Sequence, residues 1–576
     1  MLEDWSWSLG RSKWVLKFRL TLDIPHGGPI PSQSDWYILA ESIYPGGVID
    51  IFPSKEKGLA LTFPHQLYNG EGKKDEPWRA GKICVDSPLR IFGRRAHDLQ
   101  PYTNEERLTW QVDRLKEWLI AAQKGELVQN GDPFELPDYP DLVGRLVFIE
   151  TPKSFEDWNK CSESFGFAEV AEVAETQAVA VRSFSSSTQK LFDIEVREGL
   201  DSLKRERFTK CAWILTKTVV TLDPWKAPAT WGELEEALAT QGINLFDVLQ
   251  QTIPRLPSEG TFLLIGFPIF RLVGGEADRL HWLAVQVPPP SSAAGFRKIR
   301  PSRWKGYRDL TFPSAARLRW MKTENWADEE LGGRGRLASP LRELRTAILG
   351  CGALGSAVAE LLVRGGMKDV TIMDGDLFET GNMIRHTLGM PQIGKSKAEA
   401  LAERLRQVNP RVSVQSKNEA FRAIPKNQIP TLETAELLVD CTGADDTIMH
   451  LAASSWDSKI IFASLSLGFA CKRLFCFSTT GTSFPKDEFF EAMLPWLERE
   501  RQENTGTVLE GEGHGCWHPM MPGRADDIWL AASIAVKFLE QIVSELGVGT
   551  QLQVFERVVG KNGEFYGISR APNSGP

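Results

Sequence analysis

The chain has 576 residues, 42% of them hydrophobic and 25% charged, the balance of a folded globular protein. That length asks for more than one hydrophobic core, and three or four domains are expected. The net charge of −8 argues against general nucleic-acid binding, and no apolar run approaches the length of a membrane span.

Glu3 and Asp4 stand where a secretory signal would be basic, and no apolar segment follows, so a cytoplasmic location is expected. In such a chain the 8 cysteines are not expected to form a disulfide framework, and none forms a C-x-x-C pair, which speaks against a structural zinc site. Most are expected to act as small buried apolar residues. The 19 tryptophans gather in the N-terminal half without a basic stripe, so they are assigned to cores and domain contacts.

Residues 1–140 read as strands followed by helices. One strand ends at Tyr44-Pro45, a second follows, and a third is predicted through Leu59–Phe63. A polar loop then reaches Cys84 in WRAGKICVDSP. From Tyr102 to Lys124, Leu108, Val112, Leu115 and Leu119 recur at helical spacing. Gly81, Ile83, Cys84, Val85 and Asp86, placed after such a meander, resemble the cysteine signature of ubiquitin-conjugating enzymes. The resemblance implies an α+β domain in which Cys84 carries a thioester. The His-Pro-Asn motif that precedes the cysteine in that family is missing. Pro64-His65-Gln66 and Asn69 lie nearby, and which of His65 and Asn69 would stabilise the oxyanion stays open. A degenerate domain that only binds a partner would have no use for an intact I-C-V-D.

Residues 141–300 are predicted to form a middle α/β domain. Strands are expected near Arg145–Glu150, Cys211–Leu222 and Thr261–Ile269, with a helix near Trp231–Thr240. SSSTQ and QVPPPSSAAG read as loops or linkers. No catalytic motif stands out, so the segment is read as a positioning domain.

Residues 301–576 carry the densest signal. Thr346–Leu349 reads as a buried parallel strand. Gly350, Gly352 and Gly355 follow in G-x-G-x-x-G spacing, and a helix is predicted over Ser356–Arg364. Such glycines allow a tight turn, close approach of backbone to phosphate, and packing of helix on strand, while the helix N-terminus offers free N–H groups to an anion. Asp374 closes a second strand about 20 residues on, where a ribose-binding acid is expected. A dehydrogenase would fit equally well up to this point. Asp376, Asn382, Arg385 and Lys397 favour a triphosphate, whose charge Arg and Lys neutralise and whose magnesium an acid holds. The run D-x-D, N-x-x-R, I-G-x-x-K-A with Asn409-Pro410 resembles the adenylation domain of ThiF/MoeB proteins and ubiquitin-activating enzymes. That resemblance implies a C-terminal doubly wound, Rossmann-like adenylation domain. Asp374 would bind ribose, Asn382, Arg385 and Lys397 would contact the phosphates of ATP, and an acid near Asp440-Cys441-Thr442-Gly443-Ala444-Asp445 would hold magnesium. Asp445 is the choice, with Asp440 as the rival.

Cys516 lies in GEGHGCWHPMMPG, a Gly/Pro-rich loop ahead of a long predicted helix. It is read as a thiolate nucleophile assisted by His514, His518 or the helix N-terminus. A conjugating part followed by an activating part resembles the bacterial fusions of these two enzymes found in antiphage operons of the cyclic-oligonucleotide-based signalling type (CBASS). The resemblance implies a relay: ATP adenylates the C-terminal carboxylate of a protein, Cys516 takes the acyl group, and Cys84 passes it to a lysine amine of a target protein. The activated protein would be a CBASS nucleotidyltransferase or a dedicated ubiquitin-like protein, and the enzyme a homodimer with no nucleic-acid or membrane partner. Two other readings stand beside it, a sulfur-carrier adenylyltransferase with an accessory N-terminal domain and an ATP-binding scaffold without catalysis.

Overall fold

The computed structural model describes residues 1–25, 27–85, 101, 103–173, 176–186, 190–193, 209–253, 256, 261–289, 304–422, 432, 434–507, 522–544 and 549–572. They form two compact units, one within residues 1–326 and one within 327–572.

The first unit opens with an antiparallel meander, β1 (Ser6–Ser8), β2 (Lys13–Thr21), β3 (Gln33–Ala40) and β4 (Ile49–Pro53), paired in sequence order. Alternation along the strands sorts their side chains by face. Leu16, Phe18, Trp36, Ile38 and Ile51 pack with Leu115, Trp118 and Leu119 of the helix Asn104–Lys124, while Val15, Tyr37, Leu39 and Phe52 meet Trp78 on the other face. Thr103 caps that helix by accepting the Glu106 N–H, and Gly125 ends it at φ 72°. The strand predicted at Leu59–Phe63 is not formed. Leu59 and Phe63 are buried, but Asn69 Nδ2 donates to the carbonyls of Leu59 and Leu61, taking up acceptors that a ladder would use.

The middle of the chain folds into β5 (Arg145–Phe148), β6 (Phe165–Glu172), β7 (Ala178–Ser185), β8 (Lys190–Asp193), β9 (Thr209–Leu215), β10 (Thr261–Ile269), β11 (Arg279–Val287) and β12 (Trp320–Asn325). The order is β5-β12-β11-β10-β9-β6-β7-β8, and β5 also pairs with β7. Seven strands therefore close into a ring, with β8 appended. The expected strands and the helix Trp231–Ala239 are present, but closure makes the domain a barrel with helices packed outside it. The expected end at residue 300 is also too early, because Trp320–Asn325 is a strand of this sheet. Inside the ring Trp158, Phe184, Trp213 and Trp282 pack together. Among them lies Glu150, 1% exposed, accepting from Trp158 Nε1 at 3.0 Å, Trp282 Nε1 at 2.8 Å and the Ser154 hydroxyl. Burial pushes its carboxyl up to about 7, against the pull of the three donors.

The second unit is built on β13 (Arg345–Leu349), β14 (Asp369–Met373), β15 (Ser413–Lys417), β16 (Leu437–Asp440), β17 (Ile460–Leu467), β18 (Arg473–Gly481), β19 (Gln551–Val559) and β20 (Phe565–Arg570). The order is β15-β14-β13-β16-β17-β18-β19-β20, parallel as far as β17 and antiparallel from there. Ile348, Val370 and Ile372 face the helices Ala353–Arg364, Lys397–Val408 and Ala525–Ser544. Ala347, Leu349 and Met373 face Asp445–Ala453 and Lys486–Glu503 on the other side. Both faces are covered, as expected for a doubly wound sheet. Arg473 of β18 is fully buried and meets three carboxylates, Glu556 at 2.6 Å, Glu503 at 2.7 Å and Glu500.

Two measurements follow from these buried charges. Arg473→Met takes the buried cation from Glu500 and leaves Glu503 and Glu556 only the more exposed Lys472 and Arg499, and it is expected to cost about 3 kcal/mol in denaturant unfolding. Arg473 first, with Lys472 and Arg499, holds the Glu503 carboxyl at about 2, below its ordinary 4.5, so the stability these pairs add is complete above pH 4.5 and is lost as pH falls toward 2; Arg473→Met should shrink that acid limb without removing it. Glu150 has the opposite sign. Its folded pKa is raised, so the barrel should lose stability as pH rises from 4.5 to 7, and Glu150→Gln should remove this slope from melting temperatures measured against pH.

Candidate active site

The three glycines after β13 meet three different demands. Gly350 turns at φ 83°, and a Cβ there would lie 2.9 Å from Thr442 Cγ2. At Gly355 a Cβ would lie 1.9 Å from the Gly350 carbonyl oxygen. At Gly352, the N-cap of the helix Ala353–Arg364, a Cβ would meet nothing within 4 Å, and no side chain caps the helix. The first and third glycines are required by the protein's own packing, while the second faces open space beside uncapped N–H groups. That is a cradle suited to an anion.

Asp374 stands directly after β14. Its Oδ2 accepts the Cys351 N–H at 2.6 Å and its Oδ1 accepts the Asp376 N–H at 2.8 Å. One carboxylate thus fixes both the glycine turn and the start of the next loop. Asp376 in turn binds Lys397 Nζ at 2.9 Å, and the Lys397 N–H donates to the Asp376 carbonyl at 3.0 Å. Lys397 is the first residue of its helix, where the dipole disfavours a cation, yet its side chain is only 10% exposed. The pair with Asp376 holds the lysine there against that local preference. Asn382 sits in the turn Thr380–Asn382 and accepts the Glu379 N–H through Oδ1 at 3.0 Å, with half-buried Arg385 just beyond.

Sequence reading missed His386. Its Nε2 lies 2.5 Å from the Cys351 carbonyl, and its Nδ1 accepts the Leu388 N–H at 3.1 Å. The carbonyl only accepts and Leu388 only donates, so the neutral ring carries its proton on Nε2. Burial pushes the pKa down to about 4, which keeps the ring neutral at physiological pH. Cys351 is therefore held from two sides, by Asp374 at its N–H and His386 at its carbonyl. The only sequence clue was the position of His386 next to Arg385.

The two acids considered for magnesium differ in kind. Asp440 is 1% exposed and accepts from Thr442 N–H at 3.0 Å, Thr442 Oγ1 at 2.6 Å and Ser464 Oγ at 2.8 Å. Burial raises its pKa, and its oxygens are occupied in shaping the loop. Asp445 is exposed at the first turn of the helix Asp445–Ala453. It lines a groove of about 450 Å³ beyond the C-terminal ends of β16 and β17, with Thr442, Phe475, Phe489, Met493 and Leu497. This is where open α/β sheets collect ligands. Among the described residues no group of three or more His, Cys, Asp or Glu side chains is arranged to hold a metal ion.

Cys84 of the first unit is exposed, while Cys211 in the same unit and Cys351, Cys471 and Cys476 in the second are buried. Cys84 lines a cavity of about 720 Å³ with His65, Lys82, Glu135, Asp138 and Met321 among its walls. Its N–H donates to the His65 carbonyl at 2.9 Å. Asn69 is 3% exposed and spends both amide hydrogens on Leu59 and Leu61, so it has no donor left for an oxyanion. Asp86, Cys516, His514 and His518 lie outside the described residues.

Against known proteins, the Cap2 central linker domain matches residues 125–326 and the ThiF family matches residues 329–508. The ATP-dependent ubiquitin transferase-like protein Cap2 of Enterobacter hormaechei subsp. hoffmannii (strain UCI 50) is 33% identical over 558 residues, covering 94% of this chain and 92% of that protein. The chain belongs to the Cap2 family. Outside it, the adenylyltransferase and sulfurtransferase UBA4 of Yarrowia lipolytica is 34% identical over 113 residues, 20% of this Cap2-family chain and 28% of that protein. Among solved structures, E. coli MccB with ATP is similar at a TM-score of 0.26 and 17% identity, covering 41% of this chain and 65% of that one. The Cap2 linker match ends at residue 326, where the last barrel strand has just closed.

The glycine geometry predicts a ranking of stabilities. Gly355→Ala forces a backbone clash and is expected to cost about 3 kcal/mol. Gly352→Ala loses only a cap preference, at most about 1 kcal/mol. Denaturant midpoints of the two variants check the order.

Proposed function

We propose that this Cap2-family chain is an ATP-dependent protein-conjugating enzyme. It adenylates the C-terminal carboxylate of a protein with release of pyrophosphate, carries the acyl group as a thioester on Cys516 with displacement of AMP, passes it to Cys84 by thiol exchange, and transfers it to an amine, a lysine of a target protein, freeing the Cys84 thiol. The observation that carries this reading is the pairing, in one chain, of an open phosphate cradle at Gly352 with an exposed cysteine in a cavity at Cys84. A sulfur-carrier adenylyltransferase needs the cradle and has no use for Cys84. A scaffold without catalysis would not need Lys397 held almost buried at a helix start.

The residues fit ATP. Uncapped N–H groups beside Gly352, together with Arg385 and Lys397, would meet the phosphates, and Asn382 would join them from its turn. Asp374 would take ribose hydroxyls with the lone pairs that Cys351 and Asp376 leave free. Magnesium, when bound, supplies charge neutralisation at the phosphates. Asp445 suits it because one exposed carboxylate plus phosphate oxygens is a common magnesium environment, whereas Asp440 is committed to the loop. Orientation is the main contribution of the chain here: a carboxylate held against the α-phosphate reacts as though at high local concentration. The same argument favours fusing both cysteines in one polypeptide, since the hand-over between thiols becomes intramolecular.

The protein substrate in this reading is the nucleotidyltransferase of a CBASS operon, with a dedicated ubiquitin-like protein as the alternative, and the enzyme works as a cytoplasmic homodimer. Mass spectrometry of the protein with ATP, magnesium and each candidate substrate tests the relay. Cys84→Ala should accumulate a reductant-sensitive adduct on Cys516, and Cys516→Ala should abolish both thioesters. Normal conjugation by Cys84→Ala would refute the relay, and a carboxyl-adenylate without thioesters would favour the sulfur-carrier reading. Gly352→Ala should fold yet lose at least about tenfold in ATP–pyrophosphate exchange, because its methyl group occupies the cradle.

A further inference from the structure

We propose that Glu135 is a positioning residue for Cys84, acting through His65, so that the central linker domain completes the site of the conjugating cysteine. The inference rests on the reading of Cys84 as an acyl carrier.

His65 holds φ 58°, a left-handed conformation unusual for a residue with a side chain. Such strain persists only where the surroundings over-determine it. Here Glu135 supplies the constraint. Both of its carboxylate oxygens accept the His65 N–H at 3.2 Å, and its Oε2 lies 2.8 Å from Nδ1. The other ring nitrogen, Nε2, lies 3.1 Å from the Leu127 carbonyl. A carboxylate and a carbonyl can only accept, so the geometry favours a proton on each nitrogen, the imidazolium. The pKa of His65 is raised, first by its bond to Glu135, with Asp132 adding to it against burial. Lys82, across the cavity, is paired with Asp50 at 3.0 Å.

The strained residue bears directly on the nucleophile. The His65 carbonyl accepts the Cys84 N–H, and the neighbouring Gln66 and Ile83 form a β-bridge. The position of Cys84 is thus set by His65, and that of His65 by Glu135 and Leu127, both inside the stretch that matches the Cap2 central linker domain. Stability alone does not account for the clamp. The His65 and Glu135 side chains are 44% and 33% exposed, and an ion pair that open contributes little to folding. Its effect is local, holding one carbonyl where Cys84 needs it.

The test uses the full chain and four variants: Glu135→Ala, Glu135→Gln, His65→Gly and the Glu135→Ala/His65→Gly double variant. Amide hydrogen exchange in a peptide containing Cys84 reads the clamp whether or not the relay operates. Glu135→Ala should speed that exchange about tenfold. It should also slow acyl transfer to Cys84 several-fold while loading of Cys516 is unchanged. Glu135→Gln, which keeps an oxygen acceptor, should recover most of both. Glycine adopts a positive φ freely and keeps only the backbone bond to Glu135, so in the His65→Gly background Glu135→Ala should add clearly less than in the wild-type chain. Wild-type exchange in Glu135→Ala, or additive effects in the double variant, would overturn the proposal. If the wild-type chain never loads Cys84, the relay fails, and the exchange data still decide whether Glu135 positions the cysteine.

Discussion

The helix after β13 starts where it does only because position 355 has no side chain. A single methyl group there would sit 1.9 Å from the Gly350 carbonyl oxygen, and the turn could not close. From that contact the rest of the second unit follows. The tight turn brings Cys351 within reach of Asp374, and the bond between them ties β13 to the end of β14. Asp374 also takes the Asp376 N–H, Asp376 takes Lys397, and Lys397 opens the next helix. One steric requirement thus propagates through four residues to a lysine about 40 positions away. His386 closes the circuit by holding the Cys351 carbonyl.

This part was legible because the signal is local. Glycine spacing, the acid closing β14 and the run from Asn382 to Lys397 lie in one stretch of sequence, and each is a backbone demand met by a particular residue type. The barrel was not legible for the converse reason. Its closure depends on β5 pairing with both β7 and β12, and β12 lies far along the chain. No periodicity within β5 shows that it has two neighbours. The same fact moved the domain boundary: Trp320–Asn325 belongs to the barrel through hydrogen bonds to distant strands. At Leu59–Phe63 an apolar run suggested a strand, but the buried amide of Asn69 takes two of its carbonyls. Pattern measures burial, and burial alone does not make a ladder.

The site around Cys84 shows a third degree of legibility. The cysteine signature was visible, but not what supports it, because Glu135 lies 70 residues from His65 in sequence. Expected near the cysteine was a donor for an oxyanion. Found instead are a histidine whose ring nitrogens face Glu135 and Leu127 and an asparagine turned inward. Both residues bond to backbone carbonyls, His65 to Leu127 and Asn69 to Leu59 and Leu61.

The ring of strands has a mechanical aspect. The segment enters the barrel at β5 and leaves it at β12, and these two strands are parallel neighbours, with Arg145 opposite Lys322 and Phe148 opposite Asn325. Tension between the residues before β5 and those after β12 would pull the two strands along their length in opposite directions. All the hydrogen bonds between them would then be loaded together in shear, instead of one at a time as in unzipping. The barrel is thereby built as a stiff link in the chain, its first and last strands sharing the load along their whole paired length.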